Sequence, residues 1–93
     1  MKFEWDENKN QINIGKHDID FETAVQCWND PNNFDIFDEK HSSLDEKRWL
    51  KFGRLKDGKV ICVVYTDIPG DRCRIISAFS DKRIERFYYE QDS

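Results

Sequence analysis

The chain has 93 residues, enough for one domain with a core of its own and little surplus. Its composition, 37% charged and 14% aromatic, excludes a disordered segment, and since it has neither an apolar run of about 20 residues nor a signal peptide we expect a globular cytoplasmic protein without membrane contact. The net charge of -4 argues against indiscriminate nucleic-acid binding, but residues 1–47 hold 12 Asp+Glu against 5 Lys+Arg and residues 48–93 hold 10 Lys+Arg against 7 Asp+Glu.

The first third of the chain predicts a short strand followed by two helices. Phe3 and Trp5 alternate with charged residues as in a strand, and Asp6 has the side chain of a helix N-cap. Gly15 predicts the end of that helix. Asp20 predicts a second N-cap, because apolar side chains follow it at helical spacing up to the turn-forming residues 29–33: Phe21, Ala24, Val25 and Trp28.

The middle of the chain predicts an antiparallel meander. Residues 34–37 suit a short strand, and residues 38–47 predict a mobile loop because they include a single aliphatic side chain. Residues 48–55 and 59–66 are rich in aromatic and β-branched residues, and Asp57-Gly58 between them predicts a two-residue hairpin turn. A third long strand, from residue 72 to about 78, follows the turn at residues 68–71.

The end of the chain predicts one more helix. Ser80 and Asp81 suit its start, and an apolar stripe of Ile84, Phe87 and Tyr88 can lie on the sheet. We therefore predict an α+β fold with a single small domain over residues 1–93. It has an antiparallel β-meander of 3 to 4 main strands, N-terminal helices and one C-terminal helix, with the helices gathered on one face.

The cysteines predict neither a disulfide nor a metal site. Cys27, Cys62 and Cys73 are odd in number and widely spaced, which favours reduced, partly buried thiols. The two histidines do not complete any zinc-ligand spacing. We expect no metal and no cofactor.

Short motifs follow one another along nearly the whole chain. They are Phe3-x-Trp5-Asp6-x-x-Lys9, Asn13, Lys16-His17, Phe21-x-x-Ala24, Glu46-x-Arg48, Gly53, Val64-Tyr65-Thr66, Arg74-Ile75-Ile76-Ser77-Ala78, and Glu85 with Tyr88 or Tyr89. In this order and spacing, the motifs resemble the BrnT family of bacterial type II toxins, whose fold is related to RelE-type ribonucleases.

The resemblance implies a metal-independent endoribonuclease that cleaves messenger RNA. It also implies a partner, a cognate antitoxin of the BrnA-like, ribbon-helix-helix kind, which holds the toxin inactive and through which alone the pair binds operator DNA. One position departs from the family: Phe79 stands where an arginine usually follows Ser-Ala. If that arginine contacts phosphate in relatives, this chain lacks one cation of the site.

Cleaving RNA without a metal needs a base for the ribose 2′-hydroxyl, cations for the phosphate and an acid for the leaving 5′-oxygen. His17 is the first candidate, because histidine side chains titrate at about pH 6.5 and suit either proton role. A helix-end histidine that completes a cap is an equally good interpretation. Lys16, beside His17, is a candidate for holding phosphate in the catalytic site, and Lys9 is a candidate for RNA contact, although a solvated helix face explains surface lysines as well. Asn13 is a further candidate for the chemistry of this site.

Arg48 and Arg74 lie near strand ends, where a guanidinium can grip two phosphate oxygens. Either arginine can instead form a structural ion pair, with Glu46 or with Glu85. Glu46 is also a candidate base, although loop carboxylates are usually solvated.

On the last helix, Arg86 and Tyr89 are candidates for RNA contact, Tyr89 by stacking or by donating to phosphate. An ordinary amphipathic surface is the alternative. Two other functions stay open for the chain: a toxin fold that keeps antitoxin binding but has lost catalysis, and, more remotely, direct DNA binding, which lacks a helix-turn-helix pattern.

Overall fold

A computed structural model describes residues 1–91 of the protein. Its elements along the chain are β1 (Lys2–Trp5), α1 (Glu7–His17), α2 (Phe21–Ala24), a 3₁₀ helix (Val25–Asn29), β2 (Phe34–Phe37), β3 (Arg48–Arg54), β4 (Val60–Ile68), β5 (Arg72–Phe79) and α3 (Lys82–Glu90). Among the described residues, no helix has the length and apolar character needed to cross a membrane.

The strands form one five-stranded sheet in the order β1-β5-β4-β3-β2. Neighbouring strands from β2 to β5 are antiparallel, which confirms the predicted meander. β1 adds to the outer edge of β5 in parallel, pairing Phe3 with Cys73 and Trp5 with Ile75. The sheet is therefore mixed, and β1 and β2 are its two edges.

Aspartates begin all three α-helices, as predicted. The side chains of Asp6, Asp20 and Asp81 each accept a hydrogen bond from a backbone N–H in the first turn of the following helix. The predicted end of α1 at Gly15 is wrong. The helix continues to His17, and Asp18 ends it in the left-handed conformation, with φ 57°, which aspartate tolerates better than most residues.

The hairpin between β3 and β4 is longer by one residue than predicted. The Leu55 N–H donates to the Lys59 carbonyl, so residues 56–58 form the loop. Gly58 takes φ 94°, which a side chain would strain. A three-residue loop that ends on a glycine is a common hairpin connection, and Asp57-Gly58 are its last two residues.

Each face of the sheet carries a buried apolar cluster. On the covered face, Ile61, Val63 and Ile75 pack with Phe21 and Ala24 of α2. On the opposite face, which we call the α3 face, the buried cluster is formed by Phe52, Val60, Cys62, Ile84 and Tyr88. The prediction that all helices gather on one face is wrong, since successive residues of β4 point to opposite faces and both sides of that strand are apolar.

α3 shields only one end of its face. It packs where β3 ends and β4 begins, over Phe52, Val60 and Cys62. At the other end of the same face, α3 does not cover the sheet. Leu50, Val64 and Ile76 line an open groove there. This uncovered half of the sheet is where the candidate site lies.

Candidate functional site

The groove on the α3 face has a volume of about 340 Å³ and a floor formed by three strands. β3, β4 and β5 contribute its floor, and the loop between β2 and β3 contributes one wall. The lining residues are Asp38, His41, Arg48, Leu50, Val64, Ile76, Ser77 and Phe79. The groove therefore joins an apolar floor to charged groups at one end.

Strand register places the two predicted arginines in one row. Thr66 on the central strand pairs with Arg48 on one side and with Arg74 on the other. Directly paired residues share a face, and two strand spacings separate the arginine backbones by about 10 Å. The structure thus brings Arg48 and Arg74 together on the α3 face.

Carboxylates hold both guanidiniums. Arg48 Nε donates to Glu46 Oε1 at 3.0 Å, which is the ion pair considered as an alternative for Arg48. Arg74 Nη2 lies 3.0 Å from Glu4 Oε2, not beside Glu85, so the pairing considered for Arg74 is wrong in its partner. Arg72 shares the same Glu4, with Nη1 3.1 Å from Oε1.

These ion pairs leave the arginines accessible. The side chain of Arg74 is 52% exposed and that of Arg48 is 33% exposed. Exposed pairs contribute about 0–1 kcal/mol each to stability, so a phosphate can compete for the guanidiniums at little cost. The carboxylates therefore orient Arg48 and Arg74 more than they neutralise them, and Glu46 is engaged as a partner of Arg48.

An irregularity in β5 decides which side chains reach the groove. Tyr65 pairs with Ile75 but Val64 pairs with Ser77, so Ile76 is an extra residue. After this bulge the alternation of faces is reversed, and Ala78 joins Ile75 in the covered core. Phe79 consequently turns to the α3 face, where it lines the groove.

His17 lies next to Phe79 at the end of α1. Its ring centroid is 6.0 Å from that of Phe79, and its side chain is exposed, like that of the neighbouring Lys16. Backbone groups of Asp18 and Ile14 form the helix cap, so the imidazole is not the cap. His17 is thus next to the groove through its contact with Phe79, at the β5 side.

Asn13 is a structural residue and not part of the site. Its amide Nδ2 donates to the Ile19 and Ala78 carbonyls, both at 2.8 Å, and its Oδ1 accepts from the Ala78 N–H and from Ser77. β1 ends opposite Ile75, so the Asn13 side chain continues the hydrogen bonding of the β5 edge beyond it. The interpretation of Asn13 as a candidate for the chemistry of the site is wrong, because the side chain is only 5% exposed and bonds the backbone.

Three predicted RNA contacts lie away from the groove. Lys9 is exposed on α1, about 10 Å along the helix from Lys16. Tyr89 hydrogen-bonds the Arg54 side chain, at the other end of β3 and about 20 Å from Arg48. Arg86 is exposed on α3 about half a helical turn away from the buried Ile84 and Tyr88, so it points away from the sheet.

The structure adds two residues that the pattern did not single out. His41 lines the groove beside Arg48 and Asp38. Arg83 lies beside Phe79 in an adjoining hollow at the start of α3. The loop sequence has no hydrophobic periodicity that points to His41. The one signal in the sequence is that histidine is rare in this chain.

The cysteines do not contribute a nucleophile. Cys27, Cys62 and Cys73 are buried and unpaired, and burial raises the pKa of each thiol to about 12. A second groove, of about 390 Å³, lies beside the β3–β4 turn and Asp30, and none of the predicted site residues lines it. Of the predicted site residues, Arg48 lines the groove on the α3 face, Arg74 lies in the same row of the sheet, and His17 contacts Phe79 of the groove lining.

Comparison with known proteins points to one family. A family model described as the ribonuclease toxin BrnT of a type II toxin-antitoxin system matches residues 5–85. The crystal structure of the Brucella abortus ribonuclease toxin BrnT is similar, with 25% sequence identity, a TM-score of 0.68, and coverage of 88% of this chain and 97% of that one. No curated protein sequence matches significantly.

The family match covers most of the chain, from the last residue of β1 into α3. The structural match supports the α+β fold over the same region and nearly all of the Brucella protein. Membership in a type II toxin family also implies a cognate antitoxin as partner. The chain belongs to the BrnT family of ribonuclease toxins of type II toxin-antitoxin systems.

Proposed function

We propose that this protein is a metal-independent endoribonuclease that cleaves messenger RNA at the groove on the α3 face. The observation that carries the proposal is the row formed by Arg48, Thr66 and Arg74 on an uncovered half of the sheet. His17 lies beside Phe79, which lines the same groove farther along β5. The family's description as a ribonuclease toxin supports the same reaction class.

The arginine row supplies the cations that the reaction needs. Arg48 lies on β3 and Arg74 lies on β5, the two strands on either side of β4. Ion pairs with Glu46 and Glu4 orient the two guanidinium groups. A guanidinium grips two oxygens of one phosphate, and the negative charge on these oxygens grows as the phosphate becomes five-coordinate. Lys16 adds a third cation on the β5 side of the groove.

His17 is the proton-transfer group on that side. An imidazole changes protonation state near neutral pH, so it can protonate the 5′-oxygen as the phosphorus–oxygen bond breaks. Phe79 presents a ring beside His17, on which a base of the RNA can stack. The nucleophile is the 2′-hydroxyl of the substrate, which explains why the enzyme needs no reactive serine or cysteine.

The test is cleavage of RNA in the presence of EDTA. The wild type is expected to leave 2′,3′-cyclic phosphate and 5′-hydroxyl ends, which mass spectrometry identifies. His17→Ala should cut at least tenfold more slowly. Lys16→Ala should bind RNA more weakly, while Lys56→Ala, which removes an exposed lysine from the other groove, serves as its control.

Intact RNA after incubation with the folded wild type at low salt would contradict this proposal. That result would favour the alternative, a toxin fold that binds its antitoxin without cutting. The replacement of the family's usual arginine by Phe79 is the feature that would then account for the loss.

For the antitoxin, we propose a BrnA-like, ribbon-helix-helix partner that docks at the β2 edge and through which alone the pair contacts operator DNA. Ile36 and Phe37 on this edge strand are 37% and 40% exposed, and Leu44 in the following loop is 99% exposed. The same stretch of the chain, β2 and the loop after it, carries five carboxylates: Asp35, Asp38, Glu39, Asp45 and Glu46. The acidic edge suits a basic partner segment by complementary charge.

Titration calorimetry of the complex at rising salt tests this docking surface. The affinity should fall as salt rises, and Phe37→Ser with Leu44→Ser should weaken it further. Ile12→Ser is the matched control, since Ile12 is 56% exposed on α1. α1 packs against β5, which β4 and β3 separate from the β2 edge. A complex insensitive both to salt and to the β2-edge changes would rule out this surface.

A further inference from the structure

His41 lines the groove, and Asp38 holds it in position by hydrogen bonds. Its ring nitrogen Nδ1 lies 3.1 and 3.0 Å from the two carboxylate oxygens of Asp38, and its backbone N–H also donates to Asp38. The side chain of Asp38 is only 13% exposed, whereas that of His41 is 61% exposed. A sheltered carboxylate thus holds one side of an imidazole whose other side faces solvent and the groove.

The loop that carries this pair is tied to the start of β3. The Asp38 N–H donates to the Arg48 carbonyl at 2.9 Å. Ser42 Oγ donates to the Asp38 carbonyl at 2.6 Å and accepts from the Arg48 N–H at 2.8 Å. These bonds fix Asp38, and through it His41, relative to the phosphate-binding Arg48.

The geometry decides which proton role His41 can play. An ionised carboxylate only accepts hydrogen bonds, so Nδ1 of a neutral His41 must carry the hydrogen that it shares with Asp38. The lone pair then lies on Nε2. An imidazole in this tautomer, held by a carboxylate, is prepared to accept a proton.

We propose that His41 is the general base of the ribonuclease reaction and that Asp38 is its positioning residue. The inference rests on the proposed function and completes it, because the reaction needs two proton transfers and His17 supplies one. His41 Nε2 takes the proton of the 2′-hydroxyl while the 2′-oxygen bonds to phosphorus. The phosphorus–5′-oxygen bond breaks, and the 5′-oxygen takes a proton from the imidazolium of His17, leaving a 2′,3′-cyclic phosphate and a 5′-hydroxyl.

Few charged groups face His41. Asp38 comes from its own loop, and Arg48 comes from β3 together with its partner Glu46. β4 and β5 present Val64, Ile76 and other uncharged side chains to the groove. Asp38 and Arg48 are therefore the charged side chains that line the groove beside His41.

A substrate with sulfur in place of the bridging 5′-oxygen distinguishes the loss of the general base from the loss of the general acid. A thiolate leaves without needing a proton, so cleavage of this substrate needs the base but not the acid. With EDTA present, the kcat of His41→Ala is expected to fall about 100-fold or more on both the oxygen and the sulfur substrate. His17→Ala should be slow on the oxygen substrate and close to wild type on the sulfur substrate. His41→Gly should be rescued by added imidazole, which a purely structural loss would not be.

Asp38→Asn tests whether Asp38 positions His41, because the substitution leaves the shape of the side chain almost unchanged. An amide can donate to Nδ1 and favour the wrong tautomer, so kcat should fall at least tenfold with KM nearly constant. Glu22→Gln, which changes an exposed carboxylate on α2, is the control that should retain wild-type kcat. Circular dichroism melts should be alike for all variants, because His41 is largely exposed.

The outcomes separate the two proposals. If the wild type cuts RNA and His41→Ala cuts equally well, the base assignment is overturned and the ribonuclease proposal stands. If the sulfur substrate rescues His41→Ala but not His17→Ala, the two roles are reversed and the assignment is again overturned. If the wild type leaves both substrates intact, the ribonuclease proposal and the base assignment fall together.

Discussion

Phe79 shows how one residue can serve both packing and the site. Its ring is partly buried against the α3 cluster and also forms part of the groove beside His17. By the resemblance, relatives usually have an arginine here. The phenylalanine replaces a cation with an aromatic surface, so under the proposed function this position would contact RNA by stacking instead of by charge.

Phe79→Arg should therefore strengthen RNA binding and steepen its salt dependence. One additional phosphate contact on a single strand changes the slope of log K against log salt by about 0.7. Filter binding at several salt concentrations measures the slope, and Phe79→Leu is the uncharged control. An unchanged slope would show that this position does not face the phosphate backbone.

Asn13 is a second residue whose role depends on its surroundings. Asn13→Ala leaves the N–H and carbonyl of Ala78 and the Ile19 carbonyl without their partner, in buried positions. The free energy of unfolding should fall by about 2–5 kcal/mol, measured by urea denaturation. Asn8→Ala, an exposed change in the first turn of α1, should cost far less. An equal loss in both variants would argue against the edge-sealing role.

At the scale of elements, Asp30 joins three of them. It follows the 3₁₀ helix, it accepts from the Arg54 N–H at the end of β3, and it accepts from the Tyr88 hydroxyl of α3. Burial raises the pKa of Asp30, but hydrogen bonds from Tyr88 and from the Asn32 and Arg54 amides outweigh it and hold the pKa below that of an ordinary aspartate. The charged form is therefore the one that stabilises the fold.

This gives a pH-dependent prediction for Asp30→Asn. A carboxylate with a lowered pKa stabilises the protein above its unfolded-state pKa and loses this contribution as the pH falls through its folded-state pKa. The variant should unfold more easily at pH 7, by about 1–3 kcal/mol. Its deficit should shrink below about pH 4, because Asp30 of the wild type is protonated first in the unfolded chain and then, at lower pH, in the folded protein. Denaturation between pH 2 and 7 tests this, with Asp45→Asn as an exposed control; a constant deficit would contradict it.

At the scale of the whole molecule, one strand carries two cores. β4 contributes Ile61 and Val63 to the covered face and Val60 and Cys62 to the α3 face. Cys27 and Cys73 are also fully buried, on the covered side. The thiols therefore report on both layers of the fold.

Thiol labelling should follow global unfolding. Because burial raises the pKa of all three thiols to about 12, almost no thiolate forms at pH 8 and the folded protein should react very slowly with a disulfide reagent. In guanidinium all three should react at once. Rapid labelling of Cys62 alone in the folded protein would mean that α3 opens independently of the rest.

Much of the fold could be predicted because its signals are local. The three aspartate caps, the apolar stripe of α2 and the alternation of the strands act within a few residues, so they can be read without a partner. The errors at Gly15 and at the β3–β4 turn are also local, and each concerns which of several permitted turns the chain adopts. The motifs along the chain identified the family for the same reason.

The site depended on contacts between distant residues. The sequence by itself determined that Arg48, Arg74 and His17 have the chemistry for phosphate and proton transfer. Only the tertiary structure decided that Arg48 and Arg74 share a row through Thr66, that Glu4 holds Arg74, and that a bulge turns Phe79 toward the groove. It also decided that α3 covers half a face and that a loop without a pattern carries His41, because register and packing are set by pairings across the whole chain.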